Sequence, residues 1–174
     1  MKLPIKSLNE FTECSLSINE ILEVISTKIG EIEGVADLSK MYEGIVVGQI
    51  TKKDNHPNAD KLGVYMVSIG GEEDIQVVAG DKNLKEGDKV VYINPGSIVP
   101  YTYGSSQPIK IKSSNMRGIQ SNGMLCSQKE LNIGSDDTHV FVLEEDVPLG
   151  TPFAQYYQLD DTVVEIENKA LTNR

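Results

Sequence analysis

Asn55-His56-Pro57-Asn58-Ala59-Asp60-Lys61-Leu62 lies between two runs of strand-forming residues, and those runs decide the fold. Ahead of it, Ile45-Val46-Val47-Gly48-Gln49-Ile50 is β-branched and free of Pro, and reads as a strand followed by the polar stretch Thr51 to His56. Within it, His56-Pro57-Asn58-Ala59 suits a type I turn, because Pro presets φ at the second position and Asn tolerates the third. Behind it, Leu62 to Ile69 is largely apolar on both faces, as expected of a strand in a small covered barrel.

The same punctuation continues outward. Gly70-Gly71-Glu72-Glu73-Asp74 predicts a hairpin connection, Ile75–Ala79 a third strand, Asp81–Asp88 a loop or a single turn and Lys89–Ile93 a fourth strand stopped by Asn94-Pro95-Gly96. A long loop rich in Gly, Ser, Pro and Tyr spans Gly96–Pro108, and the alternation Ile109-Lys110-Ile111-Lys112 predicts the fifth strand. Five short strands in about 70 residues indicate a barrel or sandwich, and five is the strand count of the oligonucleotide-binding (OB) fold, whose ligand face is framed by the loops between strands 1 and 2 and strands 4 and 5. Here those are the His56-Pro57 loop and the Gly96–Pro108 loop. Met116 to Leu131 reads as an excursion packing across the barrel end, with Met124-Leu125-Cys126 buried.

The flanks read as a second unit. Leu3 and Ile5 alternate, Ser7-Leu8-Asn9-Glu10 and Ser17-Ile18-Asn19-Glu20 fit capping boxes, and Ile18, Ile21, Leu22, Ile25 and Ile29 fall on one helical face ending near Gly30. Val140–Leu143 predicts a further strand, Glu144-Glu145-Asp146 a solvated run, Thr151 or Pro152 the start of a short helix to Tyr157, and Thr162–Glu167 a last strand. The lone strands of the two flanks are expected to pair with each other. The expected organisation is therefore an α+β chain: a small, incomplete unit from residues 1–43 and 150–174, truncated at Thr172-Asn173-Arg174, with a five-stranded OB barrel at 44–149 inserted into it.

Composition narrows the function. The 174 residues are 39% hydrophobic, without Trp and without an apolar run of membrane-spanning length, and the N-terminus lacks the basic and apolar regions of a signal peptide. Cys14 and Cys126 are expected to be free thiols in a reducing compartment, and His56 and His139 lack the spacing of a zinc site. The net charge is −10, but it is uneven: residues 1–43 carry 4 basic and 8 acidic groups, 44–118 carry 9 and 8, and 119–174 carry 3 and 10. Nucleic-acid contact in a neutral barrel must then come from local clustering, as with Lys52, Lys53 and Lys61. A phosphate-binding P-loop, His-Glu-x-x-His and Gly-x-Ser-x-Gly are all missing, so no catalytic residue and no metal ligand is assigned.

Three motifs in order, His56 to Leu62, Ala79-Gly80-Asp81-Lys82-Asn83, and Met116-Arg117-Gly118-Ile119-Gln120-Ser121-Asn122-Gly123-Met124-Leu125-Cys126-Ser127, resemble the tRNA-binding OB module of phenylalanyl-tRNA synthetase β chains, some methionyl-tRNA synthetases and free-standing tRNA-binding proteins. The middle motif departs, with Ala79 where the family usually has Cys and no Pro near Lys82. The N-terminal strand-helix-strand pattern is similar to the start of the bacterial β chain. The resemblance implies an N-terminal fragment of that cytoplasmic subunit, with tRNA as partner, an α subunit in the full heterotetramer, no membrane and no DNA. It implies no cofactor in the fragment; ATP and magnesium would serve phenylalanine attachment by the full α/β enzyme. The expected tRNA contacts are Lys52, Lys53, His56, Asn58, Lys61, Lys110, Lys112, Arg117, Ser121 and Asn122, the cations for phosphates and the others for sugars or base edges. Arg117 has a second reading, a structural bond to loop carbonyls, and the His56–Leu62 loop a purely structural one. Tyr65, Tyr92, Tyr101 and Tyr103 are the candidates for base stacking. Two alternatives stand beside this one: an assembly domain with little RNA binding, and a free-standing dimeric tRNA-binding protein.

Overall fold

The computed structural model describes residues 1–144 and 146–167. Its strands, in chain order, are β1 (Lys2–Pro4), β2 (Glu31–Asp37), β3 (Ile45–Asn55), β4 (Gly63–Ser68), β5 (Ile75–Ala79), β6 (Lys89–Ile93), β7 (Ser114–Met116), β8 (Ile119–Ser121), β9 (Met124–Leu125), β10 (Val142–Leu143) and β11 (Thr162–Glu167). The helices are α1 (Leu8–Phe11), α2 (Ile18–Lys28) and α3 (Phe153–Tyr156), with 3₁₀ turns at Leu38–Tyr42 and Pro100–Thr102. The chain divides into an outer unit, Met1–Lys40 with the segment from Gln158, and a barrel unit, Met41–Tyr157.

In the outer unit, β11 lies between β1 and β2 in an antiparallel sheet of 3 strands, so the first and last described strands pair as expected. Ile21 and Ile25 of α2 bury against Val164 and Ile166 of β11, each side chain contributing about 2 kcal/mol by leaving water. The second capping box forms: the Ser17 hydroxyl accepts from the Glu20 amide, and the Ser17 amide donates to the Glu20 carboxylate at 2.7 Å. Ser17→Ala should therefore cost about 1 kcal/mol, read as faster amide exchange along α2; unchanged exchange would refute the cap. At the first box the expectation fails, because Ser7 itself takes helical dihedrals and makes no side-chain cap bond. Gly30 is needed for space: a Cβ there would lie 2.6 Å from the Glu167 carbonyl oxygen, where the chain passes β11.

In the barrel unit, β3 pairs with β4 on one side and β6 on the other, and β4 pairs with β5. β3 does not stop at Ile50. It continues to Asn55 because its polar half pairs with β4 after a bulge at Thr51, which places Lys52 and Lys53 on a strand rather than in a loop.

The fifth barrel strand also differs from expectation. Ile109–Lys112 forms only an isolated bridge, Ile98 to Lys110, folding back on its own loop through the Ile111 amide to Ser97 O (2.9 Å) and the Val99 amide to Ile109 O (2.9 Å). The gap between β5 and β6 is closed instead by residues 119–125. β9 pairs with β6, the Asn122 amide donates to Gln76 O at 2.9 Å, and the Val78 amide donates to Ser121 Oγ at 3.0 Å. The result is a nearly closed antiparallel OB-like barrel within an α+β chain, and the loop between its fourth and fifth strands runs from 94 to 118. Ile50, Tyr65, Val67, Val77, Leu84, Val90, Tyr92 and Leu125 fill it.

Residues 150–157, expected with the outer unit, pack in the barrel unit. The Gly150 amide donates to Val47 O (2.8 Å) and Phe153 lies 5.6 Å from Tyr42 and 5.2 Å from Tyr157, ring centre to ring centre. Glu144 and Asp146 are exposed, and Asp146 pairs with Lys89; Glu145 and residues 168–174, with Thr172–Arg174, lie outside the described residues. Among the described residues no helix is long and apolar enough to cross a membrane. Both cysteines are free thiols, and burial pushes the Cys126 thiol well up.

Candidate nucleic-acid interface

His56 is the hinge of the first loop, and it faces inward. It is 5% exposed; its Nδ1 accepts from the Asn58 amide (3.1 Å), and the other ring nitrogen, which must then carry the proton, donates to Met116 O (2.8 Å). Asn58 extends the same tether through Nδ2 to Arg117 O at 3.0 Å. The first and third motifs are thus bonded to each other, and His56 and Asn58 spend their polarity on that bond rather than on a ligand.

Arg117 resolves into two parts. Its backbone, not its guanidinium, makes the structural contact. Arg117 and Gly118 both hold positive φ (52° and 97°) in the tight turn joining β7 to β8, and the Gly118 amide donates to Asn115 Oδ1 at 2.7 Å. A left-handed arginine is uncommon and costs about 1 kcal/mol or more. The guanidinium makes no ion pair among the described residues. Arg117 lines, with Ala59, Asp60, Lys61 and Leu62, a surface cleft of about 430 Å³.

The remaining expected contacts separate by direction. Lys61, Lys110 and Lys112 are exposed and, among the described residues, free of carboxylate partners. Lys52 is exposed but bound to Asp54 at 2.7 Å. Lys53 turns back on the barrel, its Nζ donating to Lys82 O (2.7 Å) and Leu84 O (2.8 Å). Ser121 is buried in barrel closure, and the Asn122 carbonyl accepts from Tyr92 Oη at 2.9 Å. Tyr65 is likewise interior, donating to Asp81 O at 2.6 Å. Asp81 is held by the amides of Asn83 and Val140, which makes the middle motif a brace rather than a contact surface.

Two signals escape a motif-by-motif reading. Lys82 sets the first loop by donating to Asp60 O at 2.9 Å; its place in the middle motif is the only sequence hint. More telling, no acidic residue occurs between Asp88 and Glu130, while Lys89, Lys110, Lys112, Arg117 and Lys129 do, in a chain of net charge −10. Lys89 and Lys129 are neutralised by Asp146 and Asp137, leaving Lys110, Lys112 and Arg117 as the charges of that stretch without an ion pair among the described residues. A second cleft, of about 400 Å³, is bordered by Asp81, Glu130, Asp137 and His139 and has the wrong sign for a polyanion. Among the described residues no cluster of three or more His, Cys, Asp or Glu is placed to hold a metal ion.

A family model described as "Putative tRNA binding domain" matches residues 45–152. The phenylalanine–tRNA ligase beta subunit of Fusobacterium nucleatum is 35% identical over 96% of this chain and 20% of that protein. That of Bdellovibrio bacteriovorus is 36% identical over 100% of this chain and 21% of that protein. A MetRS-related protein from Pyrococcus horikoshii superposes with a TM-score of 0.44 at 20% identity, covering 62% of this chain and 85% of that one. The chain spans about a fifth of the length of the curated relatives it matches. With the family model covering the whole barrel from its first strand to the segment that packs beside it, the chain belongs to the tRNA binding domain family.

Proposed function

We propose that the barrel binds tRNA as the RNA-contacting module of a phenylalanyl-tRNA synthetase β-type subunit in the cytoplasm, where a partner α subunit completes the enzyme. The observation that carries this reading is that Lys61, Arg117, Lys110 and Lys112 have no carboxylate partner among the described residues; the last three lie in the interval from Lys89 to Lys129, which holds no acidic residue, and Lys61 shares its cleft with Arg117 and with Asp60. Lys61 and Arg117 would take phosphates at the cleft; Lys110 and Lys112 would take them along the fourth-to-fifth loop. Asn58 and His56 hold the first loop against the turn bearing Arg117, and Ser121 and Asn122 hold the barrel shut. ATP and magnesium would serve phenylalanine attachment by the complete enzyme, and no step is assigned to them.

The test is binding of tRNA to the chain across a salt series. Four phosphate contacts predict a fall in affinity of roughly 80-fold between about 50 and 200 mM salt. The combined variant Lys61→Gln, Arg117→Asn, Lys110→Gln and Lys112→Gln should flatten that slope by about 3 log units per log unit of salt. Asn suits the left-handed position, so the charge is removed without loss of the turn. A variant that binds like the parent would remove these residues from the interface. Absence of binding by the parent at low salt would favour an assembly role, the reading to which the net charge of −10 lends weight.

A further inference from the structure

Tyr101 and Tyr103 stand exposed on the candidate interface, but the outer unit leaves a different kind of surface unpartnered. Its sheet has two outer edges. One is β1, 3 residues long and ending in Pro4, which offers little backbone to a neighbour. The other is β2, 7 residues long, with β11 on one side and no strand on the second. Among the described residues, every other strand longer than three residues is covered on both sides; even β5 takes Ser121 and Asn122 along its outer edge. The direction of the β2 backbone groups follows from its pairing. The Leu38 amide donates to Asp161 O at 2.9 Å, in register with the Asp37–Thr162 pair, and on the far side of β11 the Ile5 amide donates to Thr162 O at 2.9 Å. Antiparallel ladders alternate bonded and non-bonded pairs, so Gly34 and Ala36 bond to β11 while Val35 and Asp37 turn their amides and carbonyls to the open side. Glu33 is the extra residue of a bulge on the same strand.

The side chains along this edge are part apolar and part acidic. Val35 is paired with buried Val164 and shares its face, the one α2 packs on, yet stays 49% exposed. Ile29, just past α2, is 53% exposed and lines a cleft of about 620 Å³ with Ser26, Lys28, Glu31 and Ile32 at the start of β2. The last turn of α2 opens into that cleft, where helix carbonyls lack intrahelical partners and carry partial negative charge. Glu33 and Asp37 add full charges along the edge, within a segment, residues 1–43, of 8 acidic and 4 basic groups. Such an edge repels a polyanion. It also repels itself: the β2 of a second copy, paired antiparallel about Gly34 or Val35, would set Glu31 or Glu33 opposite Asp37. What fits it is an extended chain that brings backbone donors and acceptors, an apolar side chain for Val35 and Ile29, and a lysine or arginine for the carboxylates and the helix end.

We propose that the open edge of β2 is a docking site for an extended, lysine- or arginine-bearing segment of a partner protein, added to the outer sheet as its fourth strand. The inference is independent of the RNA-binding reading, because it uses the other unit, the opposite charge, and backbone pairing in place of phosphate contact. It gives the acidic N-terminal flank a role that RNA binding does not.

The probe is a capped peptide alternating lysine and valine, titrated into the isotope-labelled chain while amide exchange is followed. In the free protein the Val35 and Asp37 amides should exchange much faster than those of Gly34 and Ala36. Binding should slow the two outward amides about tenfold or more and leave Gly34 and Ala36 nearly unchanged. Two control peptides separate strand addition from electrostatic adsorption. Methylating every second peptide nitrogen, in one phase or the other, keeps the charge but removes one row of donors, and one of the two phases should fail to bind. A glutamate–valine peptide should fail as well. Glu33→Lys, at an exposed bulge position, should weaken binding about fivefold. Equal binding by both methylated peptides, or even protection along β2, means adsorption and overturns the proposal. So does the absence of binding at about 1 mM peptide. Protection of Val35 and Asp37 without peptide overturns it too: if it grows with protein concentration the occupant is a second copy, and if it persists on dilution the chain covers its own edge. None of these outcomes touches the RNA-binding reading, which the salt series tests separately.

Discussion

Gly123→Ala is expected to destabilise the barrel by about 4 kcal/mol, from backbone strain and overpacking together. Gly123 sits at φ +96°, and a Cβ there would lie 2.5 Å from both the Ile93 carbonyl oxygen and Tyr92 Oη. Neither can give way: the first is β6 backbone, and the second is bonded to Asn122 O inside the core. Gly123 lies between Asn122, which bonds β5, and Met124, which pairs with β6. The strain therefore falls at the point where the barrel closes. Urea unfolding measures the cost, with Gly80→Ala as an internal comparison, because nothing lies within 4 Å of a Cβ at Gly80 and its φ is ordinary. Equal midpoints for the two variants would mean that closure through 119–125 is wrong.

His56→Ala should cost about 3 kcal/mol, since it removes a buried side chain and leaves both the Met116 carbonyl and the Asn58 amide without their partner. The damage should be local in a recognisable way. Amides of Asn58 and of the β7–β8 turn should exchange faster, while those of β5 and β6 keep their protection. His56→Gln, whose amide can still donate toward Met116 O, should recover part of the loss. If exchange rises evenly across the barrel, His56 is a packing residue and not the tether between the two motifs.

Elements bounded by strong punctuation were readable from the chain alone. Ile75–Ala79 and Lys89–Ile93 end where Gly, Asp and Asn-Pro-Gly break them, and Ser17 with Glu20 marks the start of α2. The fifth barrel strand was not readable. Ile109–Lys112 has the better alternation, yet the position between β5 and β6 goes to Ile119–Leu125, which is rich in Gln, Ser, Asn and Gly. Strand propensity was overridden because Ser121 supplies a side-chain acceptor to β5 and Gly123 alone fits against β6.

The site shows the same limit in another form. His56, Ser121 and Lys53 are of types that read RNA, but residue type carries no direction, and all three bond inward. What did carry information was the long interval without carboxylates, a pattern spread over several elements.

The entry and exit of the barrel have a consequence for how the chain folds. Within the barrel unit, Val46 bridges Pro152; within the outer unit, Asp37 pairs with Thr162. In an unfolded chain, joining β2 to β11 means closing a loop of about 124 residues. Once the barrel has formed and its ends are clamped, the free loop shrinks to about 17 residues, which lowers the closure entropy by about 2 kcal/mol. The order of events is thereby biased: the barrel forms first, and the strands from opposite ends of the chain then meet across a gap it has already narrowed.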